Sequence, residues 1–128
     1  MILADTTIVV DWLRAPTPRL LQIIQSHQAA ICGVTLAEAY AGARTPQDFF
    51  DIDNALTVFA NISIPDAIWP KLGRNLSALG AKGLTVPLSD ALIAAVAIEG
   101  DLEVWQHDHH FPDMQKVLSQ LKLFQEPP

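Results

Sequence analysis

The 128-residue chain contains little cysteine, little basic charge and no long apolar run, and each shortage excludes a class of protein. Its one cysteine, Cys32, has no partner for an internal disulfide, so we expect a small buried side chain in a reducing compartment. The longest charge-free apolar stretch, residues 91–98, is far shorter than the roughly 20 residues that a membrane span needs. The start of the chain carries an acid, Asp5, and no basic segment, unlike a secretory signal. We therefore predict a cytoplasmic protein with no membrane segment.

The chain also contains few basic residues. Only 8 Lys and Arg stand against 14 Asp and Glu, which gives a formal net charge of −6. This excludes a protein that holds nucleic acid by bulk electrostatic attraction, because neutralising phosphates requires Lys and Arg. Nucleic acid can still be a substrate where bound divalent cations supply the positive charge.

Hydrophobic residues are abundant, at 50% of the chain against 17% charged, which is enough for the core of a single domain over residues 1–128. Short apolar runs alternate with amphipathic helical patterns. The apolar runs predict strands over residues 2–4, 29–34, 61–64 and 102–105, and a fifth, edge strand over 121–124. The amphipathic segments predict helices over residues 9–13, 19–28, 35–42, 46–59, 67–82, 91–99 and 112–121. This alternation predicts an α/β fold, a three-layer α/β/α sandwich around a mostly parallel sheet of four to five strands.

Local patterns predict helix caps and core positions. Thr35 and Glu38 have the spacing of a capping box, and Asp66 and Asp90 stand before helical segments as N-cap residues do. The helix over residues 46–59 has an apolar stripe that we expect to be core rather than partner surface. Its members are Phe49, Phe50, Ile52, Leu56 and Phe59.

Four acids are expected at one edge of the predicted sheet, because ligands of parallel sheets bind outside the carboxyl ends of the strands. Asp5 directly follows the first strand, Glu38 lies in the first turn after the second, and Asp108 lies just beyond the fourth. Asp90 begins the helix that leads into the fourth strand. Converging carboxylates repel one another unless a cation lies among them, and Mg²⁺ prefers oxygen ligands. The pattern therefore predicts a site for one or two divalent ions.

Each of these acids also has a purely structural interpretation. Asp5 could be a turn residue at a strand end, Glu38 the partner of Thr35 in the capping box, and Asp90 an N-cap. Asp108 lies in a polar loop, where an acid needs no special cause. The metal-site interpretation depends on the edge that the four acids share.

Four segments resemble those of PIN domains, and among them the VapC-type toxins of bacterial toxin–antitoxin pairs. They are ILADTT at 2–7, LAEAYAG at 36–42, LSDALIAA at 88–95 and VWQHDHHF at 104–111. The third is the most specific, and the order of the segments matches the family over nearly the whole chain. The resemblance implies a metal-dependent endoribonuclease acting on RNA with Mg²⁺ or Mn²⁺. It also implies a cognate VapB-type antitoxin that blocks the site, and a homodimer.

By motif position, the resemblance implies catalytic and metal-binding roles for the four acids named above. Thr7 matches the hydroxyl residue that helps to order the site. The chain departs from the family pattern at two positions: His110 stands where a second acid is common, and Gln106 where a threonine is. These departures put a second metal ion in doubt more than the first, so cleavage with one ion is an alternative.

Three histidines, His107, His109 and His110, flank Asp108. Zinc binding is one interpretation, but a structural zinc site needs four ligands, often with cysteine, and Cys32 is distant in the sequence. A second hypothesis is that His109 or His110 lies near the RNA phosphate and donates a proton or a hydrogen bond.

Basic residues that could contact the RNA backbone are few. Arg14 and Arg74 are the preferred candidates, ahead of Arg44 and Lys82, and solvated surface charge is the alternative for all four. So few basic residues predict modest affinity for RNA, or a dimer that pools its basic surfaces.

Three other functions are alternatives to a PIN-type nuclease. A haloacid-dehalogenase-type phosphatase needs Asp-x-Asp after its first strand, and this chain has Asp5-Thr6-Thr7 there. A receiver-type signalling domain needs paired acids after the first strand and a lysine after the last, and neither is present. The third is a catalytically weak PIN-like domain that acts through partner or RNA binding, and His110 in place of an acid keeps that alternative open.

Overall fold

The computed structural model describes residues 1–128, which form a parallel sheet of five strands covered on both faces by helices. The strands are β1 (Ile2–Ala4), β2 (Ala29–Cys32), β3 (Ala60–Ile62), β4 (Glu103–Trp105) and β5 (Lys122–Leu123). The helices are α1 (Thr6–Arg14), α2 (Pro18–Ser26), α3 (Gly33–Ala41), α4 (Pro46–Leu56), α5 (Ile68–Ala81), α6 (Leu88–Glu99) and α7 (His110–Gln115). The predicted three-layer α/β/α sandwich is confirmed. No helix has both the length and the apolar character that crossing a membrane would require.

The strand order is β3-β2-β1-β4-β5, and every neighbouring pair is parallel. The chain therefore builds outward from β1 to one side, then returns to add β4 and β5 on the other side. In sheets of this kind, a crevice opens beyond the carboxyl ends of the strands where the order reverses. Here that point lies between β1 and β4, which are aligned from Ile2 opposite Glu103 to Ala4 opposite Trp105.

Two apolar layers hold the helices to the sheet, because successive strand side chains point to opposite faces. Leu3 and Val104 belong to the layer under α5, α6 and α7. Ile2, Ala4 and Trp105 belong to the layer under α1, α2, α3 and α4. The strands are buried on both faces, which explains why they read as short continuous apolar runs.

Helix α6 has the deepest position, with every residue from Asp90 to Ala97 buried. A helix that is apolar all round suits such a position, as predicted. Because a crossover helix runs antiparallel to the strands it connects, α6 begins at the carboxyl edge of the sheet. This orientation brings Asp90, in its first turn, toward the crevice.

The predicted capping box at Thr35 is wrong. Strand β2 ends at Cys32, two residues earlier than predicted, and α3 begins at once with Gly33. Thr35 is therefore inside the helix, fully buried, and its hydroxyl has no hydrogen-bond partner. The run of apolar residues continues from the strand into the helix, so its length does not mark the boundary.

The predicted caps at Asp66 and Asp90 are also wrong. Helix α5 is preceded by Ala67 and α6 by Pro87, and neither has a side-chain cap. A true capping box occurs at the start of α4, where Thr45 and Asp48 exchange hydrogen bonds.

Only part of the predicted apolar stripe of α4 is core. Leu56 and Phe59, at and just beyond the end of the helix, are buried, but Phe49 and Phe50 are 46% and 60% exposed. The C-terminal half of α4 packs against α1, and the indole of Trp12 donates a hydrogen bond to the Ala55 carbonyl at 2.9 Å. The first turns of α4 extend beyond this contact, so the two phenylalanines are not covered.

The last helix also differs from prediction. Helix α7 begins at His110 rather than at residue 112, and it ends at Gln115 rather than near Leu121. Its early start places the backbone of His110 beside the acidic loop, where the His110 amide donates to Asp108.

Candidate metal centre

A polar cleft of about 510 Å³ opens at the crevice between β1 and β4. Only one of the 13 residues that line it is hydrophobic. The cleft brings together all four predicted acids and both predicted supporting residues: Asp5, Glu38, Asp90, Asp108, Thr7 and His110. The expectation that these acids share one edge agrees with the structure.

Asp5 is the most buried of the four acids, with 1% of its surface exposed. It is the N-cap of α1, and its Oδ1 accepts hydrogen bonds from the Ile8 amide at 3.2 Å and the Thr7 hydroxyl at 2.6 Å. Burial raises the pKa of Asp5 to about 6. The two hydrogen bonds lower this pKa, whereas the negative charges of Asp90 and Asp108 raise it further. Its second oxygen, Oδ2, is buried and has no hydrogen-bond partner. An unpaired carboxylate oxygen among other acids is where a cation would be most stabilising.

Thr7 links the start of α1 to the loop after β4. Its hydroxyl donates to Asp5 and accepts the backbone amide of His107 at 3.0 Å. The Asp5 amide in turn donates to the Trp105 carbonyl at 3.0 Å. These contacts hold the start of α1 against the loop after β4 and so fix the position of Asp5 relative to Asp108.

Asp90 occupies the third position of α6 and is 8% exposed. Burial and then the charge of Asp108 raise its pKa, and the hydrogen bond with His110 acts against them. The partial positive charge at the start of a helix favours a carboxylate at this position. Asp90 caps no helix, and its Oδ2 meets a side chain of the cleft, His110.

His110 lies between two of the acids. Its Nδ1 is 2.9 Å from Oδ2 of Asp90 and 3.0 Å from Oδ1 of Asp108. Its backbone amide also donates to Oδ1 of Asp108 at 2.9 Å. The imidazole therefore joins the acid of α6 to the acid of the loop after β4.

Glu38 projects from α3 at the rim of the cleft. Its Oε1 accepts a hydrogen bond from the Thr6 hydroxyl at 2.6 Å, not the backbone bond of a capping box. The residue is exposed, so this carboxylate can meet a substrate from the solvent side.

The two candidate arginines are separated by the fold. Arg14, at the end of α1, lines the cleft. Arg74, on α5, lies outside it, beside a separate cavity of about 210 Å³ that also includes Lys71 and Glu99. The structure thus brings Arg14, but not Arg74, to the acids.

A second polar network at the cleft wall was missed by the sequence interpretation. His107 Nδ1 lies 3.0 Å from Asp11, and its Nε2 lies 2.5 Å from Glu126, which also accepts from the Trp105 indole at 2.7 Å. Burial alone would lower the pKa of His107, but the hydrogen bonds and charges of Asp11 and Glu126 outweigh it and raise that pKa. Arg19 adds a longer ion pair to Glu126, at 3.6 Å. These partners come from distant parts of the chain, and no local pattern connects them.

The donor set of the cleft fits a divalent cation. Carboxylates from four separate segments converge there, and one of their oxygens is buried without a partner. Ligand atoms of Asp108, His109 and His110 also lie within 4.8 Å of one another. Oxygen-rich sites of this kind suit hard cations, which neutralise the mutual repulsion of the acids.

Comparison with known proteins finds matches over almost the whole chain. The family model of the PIN domain matches residues 2–117. No curated protein sequence matches the chain. Among solved structures, VapBC2 from Rickettsia felis, bound to a DNA fragment from its promoter, is 22% identical with a TM-score of 0.83, covering 97% of this chain and 98% of that one. DNA-bound VapBC from Salmonella typhimurium is 15% identical with a TM-score of 0.82 and coverages of 97% and 98%. A toxin–antitoxin complex from Klebsiella pneumoniae is 25% identical with a TM-score of 0.68 and coverages of 96% and 100%.

Proposed function

Because the chain belongs to the PIN domain family, we propose that it is a metal-dependent endoribonuclease that acts as the toxin of a toxin–antitoxin pair. PIN domains of VapC toxins are in general nucleases, a class of hydrolase. The observation that carries the proposal is the convergence of Asp5, Asp90 and Asp108 in one polar cleft, with an unpaired buried oxygen on Asp5. Such an arrangement is costly for the fold alone, and a bound cation would offset that cost.

The proposed cofactor is Mg²⁺ or Mn²⁺. PIN nucleases generally use divalent ions, and the acidic cluster of this chain could hold one. We assign Asp5, Asp90 and Asp108 as its ligands, with Glu38 as the candidate ligand of a second ion. When bound, the ion would supply a Lewis acid that makes water more acidic and neutralises charge on the phosphate.

Side chains of the cleft carry out the other parts of the proposed hydrolysis. Thr7 fixes Asp5, and Thr6 fixes Glu38 at the open rim, where its carboxylate can orient the attacking water and accept its proton. The water oxygen forms a bond to phosphorus as the bond from phosphorus to one ribose oxygen breaks, and that oxygen leaves with a proton from solvent. Arg14, which lines the same cleft, is placed to contact a neighbouring phosphate of the RNA backbone.

We further propose a VapB-type antitoxin as partner, a homodimer and a cytoplasmic location. The similarity to VapBC complexes supports the antitoxin, since the chain covers nearly all of the matched chains. The low basic charge favours a dimer, which would pool the Arg14 and Arg74 side chains of two copies.

A second candidate function is a catalytically weak domain that acts by binding a partner or RNA. The observation in its favour is His110, which stands between Asp90 and Asp108 where the family often has a further acid.

The test is cleavage of RNA by the purified protein with Mg²⁺, with Mn²⁺ and with EDTA, beside Asp5→Asn and Asp90→Asn. Asp66→Asn is the matched control, because Asp66 is exposed and lies outside the cleft. We expect cleavage that requires metal, falls at least about 100-fold in both cleft variants and is unchanged in the control. Cleavage that persists in EDTA, or in both cleft variants, would contradict the proposal. Metal and RNA binding without any cleavage would support the second function.

A further inference from the structure

The imidazole of His110 lies in the cleft between Asp90 and Asp108. We infer that His110 is a nitrogen ligand of the metal centre, and that this mixed carboxylate–imidazole set favours first-row transition ions over Mg²⁺. The inference rests on the proposed function, because it requires that the cleft bind a divalent ion.

The spacing of the donor atoms supports a shared ion. Adjacent ligands of a six-coordinate ion with bonds of about 2.1 Å are about 3.0 Å apart. Nδ1 of His110 is 2.9 Å from the Asp90 oxygen and 3.0 Å from the Asp108 oxygen. Nδ1 therefore lies at the spacing of a neighbouring ligand from each of the two acids.

The backbone holds the imidazole in this position. The His110 amide donates to Asp108, and His110 is the first residue of α7. The next residue, Phe111, is fully buried and anchors the start of that helix in the core. The side chain of His110 is only 26% exposed, so few alternative positions compete with the one between the acids.

A second observation indicates that a cation belongs in the same cleft. Oδ2 of Asp5 is buried and has no hydrogen-bond partner, although Asp5 itself is 1% exposed. The unpaired oxygen belongs to a residue that lines the cleft together with Asp90, Asp108 and His110.

The other two histidines of the loop are less suitable ligands. Both ring nitrogens of His107 are already paired, with Asp11 and with Glu126. The side chain of His109 is 78% exposed, and its Nδ1 lies 3.5 Å from Asp108. Only His110 presents a nitrogen to two cleft acids at once.

A nitrogen ligand changes which ion is preferred. Mg²⁺ strongly prefers oxygen ligands and keeps several of its waters, whereas imidazole suits first-row ions, whose affinities rise from Mn²⁺ to Co²⁺ and Ni²⁺. The replacement of an acid by His110 should therefore weaken Mg²⁺ binding and strengthen Co²⁺ binding relative to an all-oxygen site.

The experiment measures binding of Co²⁺ and of Mg²⁺ to the intact protein by calorimetry, for the wild type and three variants. His110→Asn removes the ligand but keeps a hydrogen-bonding side chain, and we expect it to lower Co²⁺ affinity at least about tenfold while Mg²⁺ affinity changes less than threefold. His110→Asp should raise Mg²⁺ affinity and lower the ratio of Co²⁺ to Mg²⁺ affinity about tenfold. His27→Asn is the control, because His27 lies outside the cleft, and it should change neither affinity.

Electron spin-echo spectroscopy of bound Mn²⁺ supplies a direct readout, since a coordinated imidazole gives ¹⁴N modulation that should vanish in His110→Asn. Wild-type modulation that survives in His110→Asn, or an equal loss of Co²⁺ affinity in His27→Asn, would overturn the inference alone. A wild-type protein that binds no divalent ion would overturn the proposed function as well. Circular dichroism of each variant separates loss of a ligand from loss of the fold.

Discussion

Replacing Asp5 by asparagine should stabilise the metal-free protein at neutral pH and leave it nearly unchanged in acid. The pKa of Asp5 in the folded protein is raised from 3.8 to about 6, chiefly by burial. A carboxyl group with a raised folded-state pKa contributes stability that is fully present below pH 4 and is lost as the pH rises through about 6. Since each tenfold change in proton affinity is worth about 1.4 kcal/mol, ionised Asp5 costs the fold about 3 kcal/mol at pH 8.

The measurement is the melting temperature of the wild type and of Asp5→Asn in EDTA, from pH 4 to pH 8. For a chain of this size, about 3 kcal/mol corresponds to roughly 10 °C. The melting temperature of the variant minus that of the wild type should rise by that amount across the range. Any pH-independent cost of the new amide cancels from this comparison.

Saturating metal should reverse the order of the two proteins. An ion at 1,000 times its dissociation constant stabilises the folded protein that binds it by about 4.1 kcal/mol, which exceeds the cost of about 3 kcal/mol of ionised Asp5, and Asp5→Asn should gain little of this. A difference between the two proteins that stays flat from pH 4 to pH 8 in EDTA would refute the reasoning. It would mean that Asp5 is neither as buried nor as unpaired as the structure shows.

Three further predictions test other parts of the molecule. Thr7→Val removes the hydroxyl that orders the cleft and should lower the rate of RNA cleavage about 10- to 100-fold at saturating metal, whereas Thr7→Ser should keep most of it; equal rates would show that the hydroxyl is not needed. Glu126→Gln should lower the free energy of unfolding at pH 6 by at most about 1 kcal/mol, because the ion pair with His107 is partly exposed. The raised pKa of His107 keeps its imidazole protonated to higher pH, so the loss should become smaller above pH 8, where the imidazole releases its proton. A urea titration at both pH values checks this, and an equal loss at both would contradict it. Ile93→Ala, in the fully buried centre of α6, should cost about 3 kcal/mol in the same assay, while Leu88→Ala, at a 62% exposed side chain, should cost less than about 0.5 kcal/mol.

The fold class and the meeting of the acids could be predicted from the sequence because both depend on long-range rules that leave few alternatives. A parallel sheet brings the ends of its strands to one edge, so Asp5 and Asp108 must approach each other once their strands are recognised. The same rule places Asp90, since its helix must run back to that edge.

Details that depend on a neighbour in space could not be predicted from local patterns. Thr35 and Glu38 have the spacing of a capping box, but where β2 ends is decided by its pairing with β3, and the helix begins before both residues. Phe49 and Phe50 continue an apolar stripe, but the helix extends past the element that would cover them. His107 meets Glu126 only because β4 and the C-terminal segment lie side by side.

The contact between Thr7 and His107, which closes the cleft, joins residues that are 100 positions apart. During synthesis the ribosome delivers β1, β2 and β3 first, and one edge of β1 stays unpaired until β4 emerges. Before β4 emerges, Asp5 and Glu38 have been synthesised, but Asp108 and His110 have not. The proposed metal centre is therefore incomplete in an emerging chain until β4 and the loop that follows it have been synthesised.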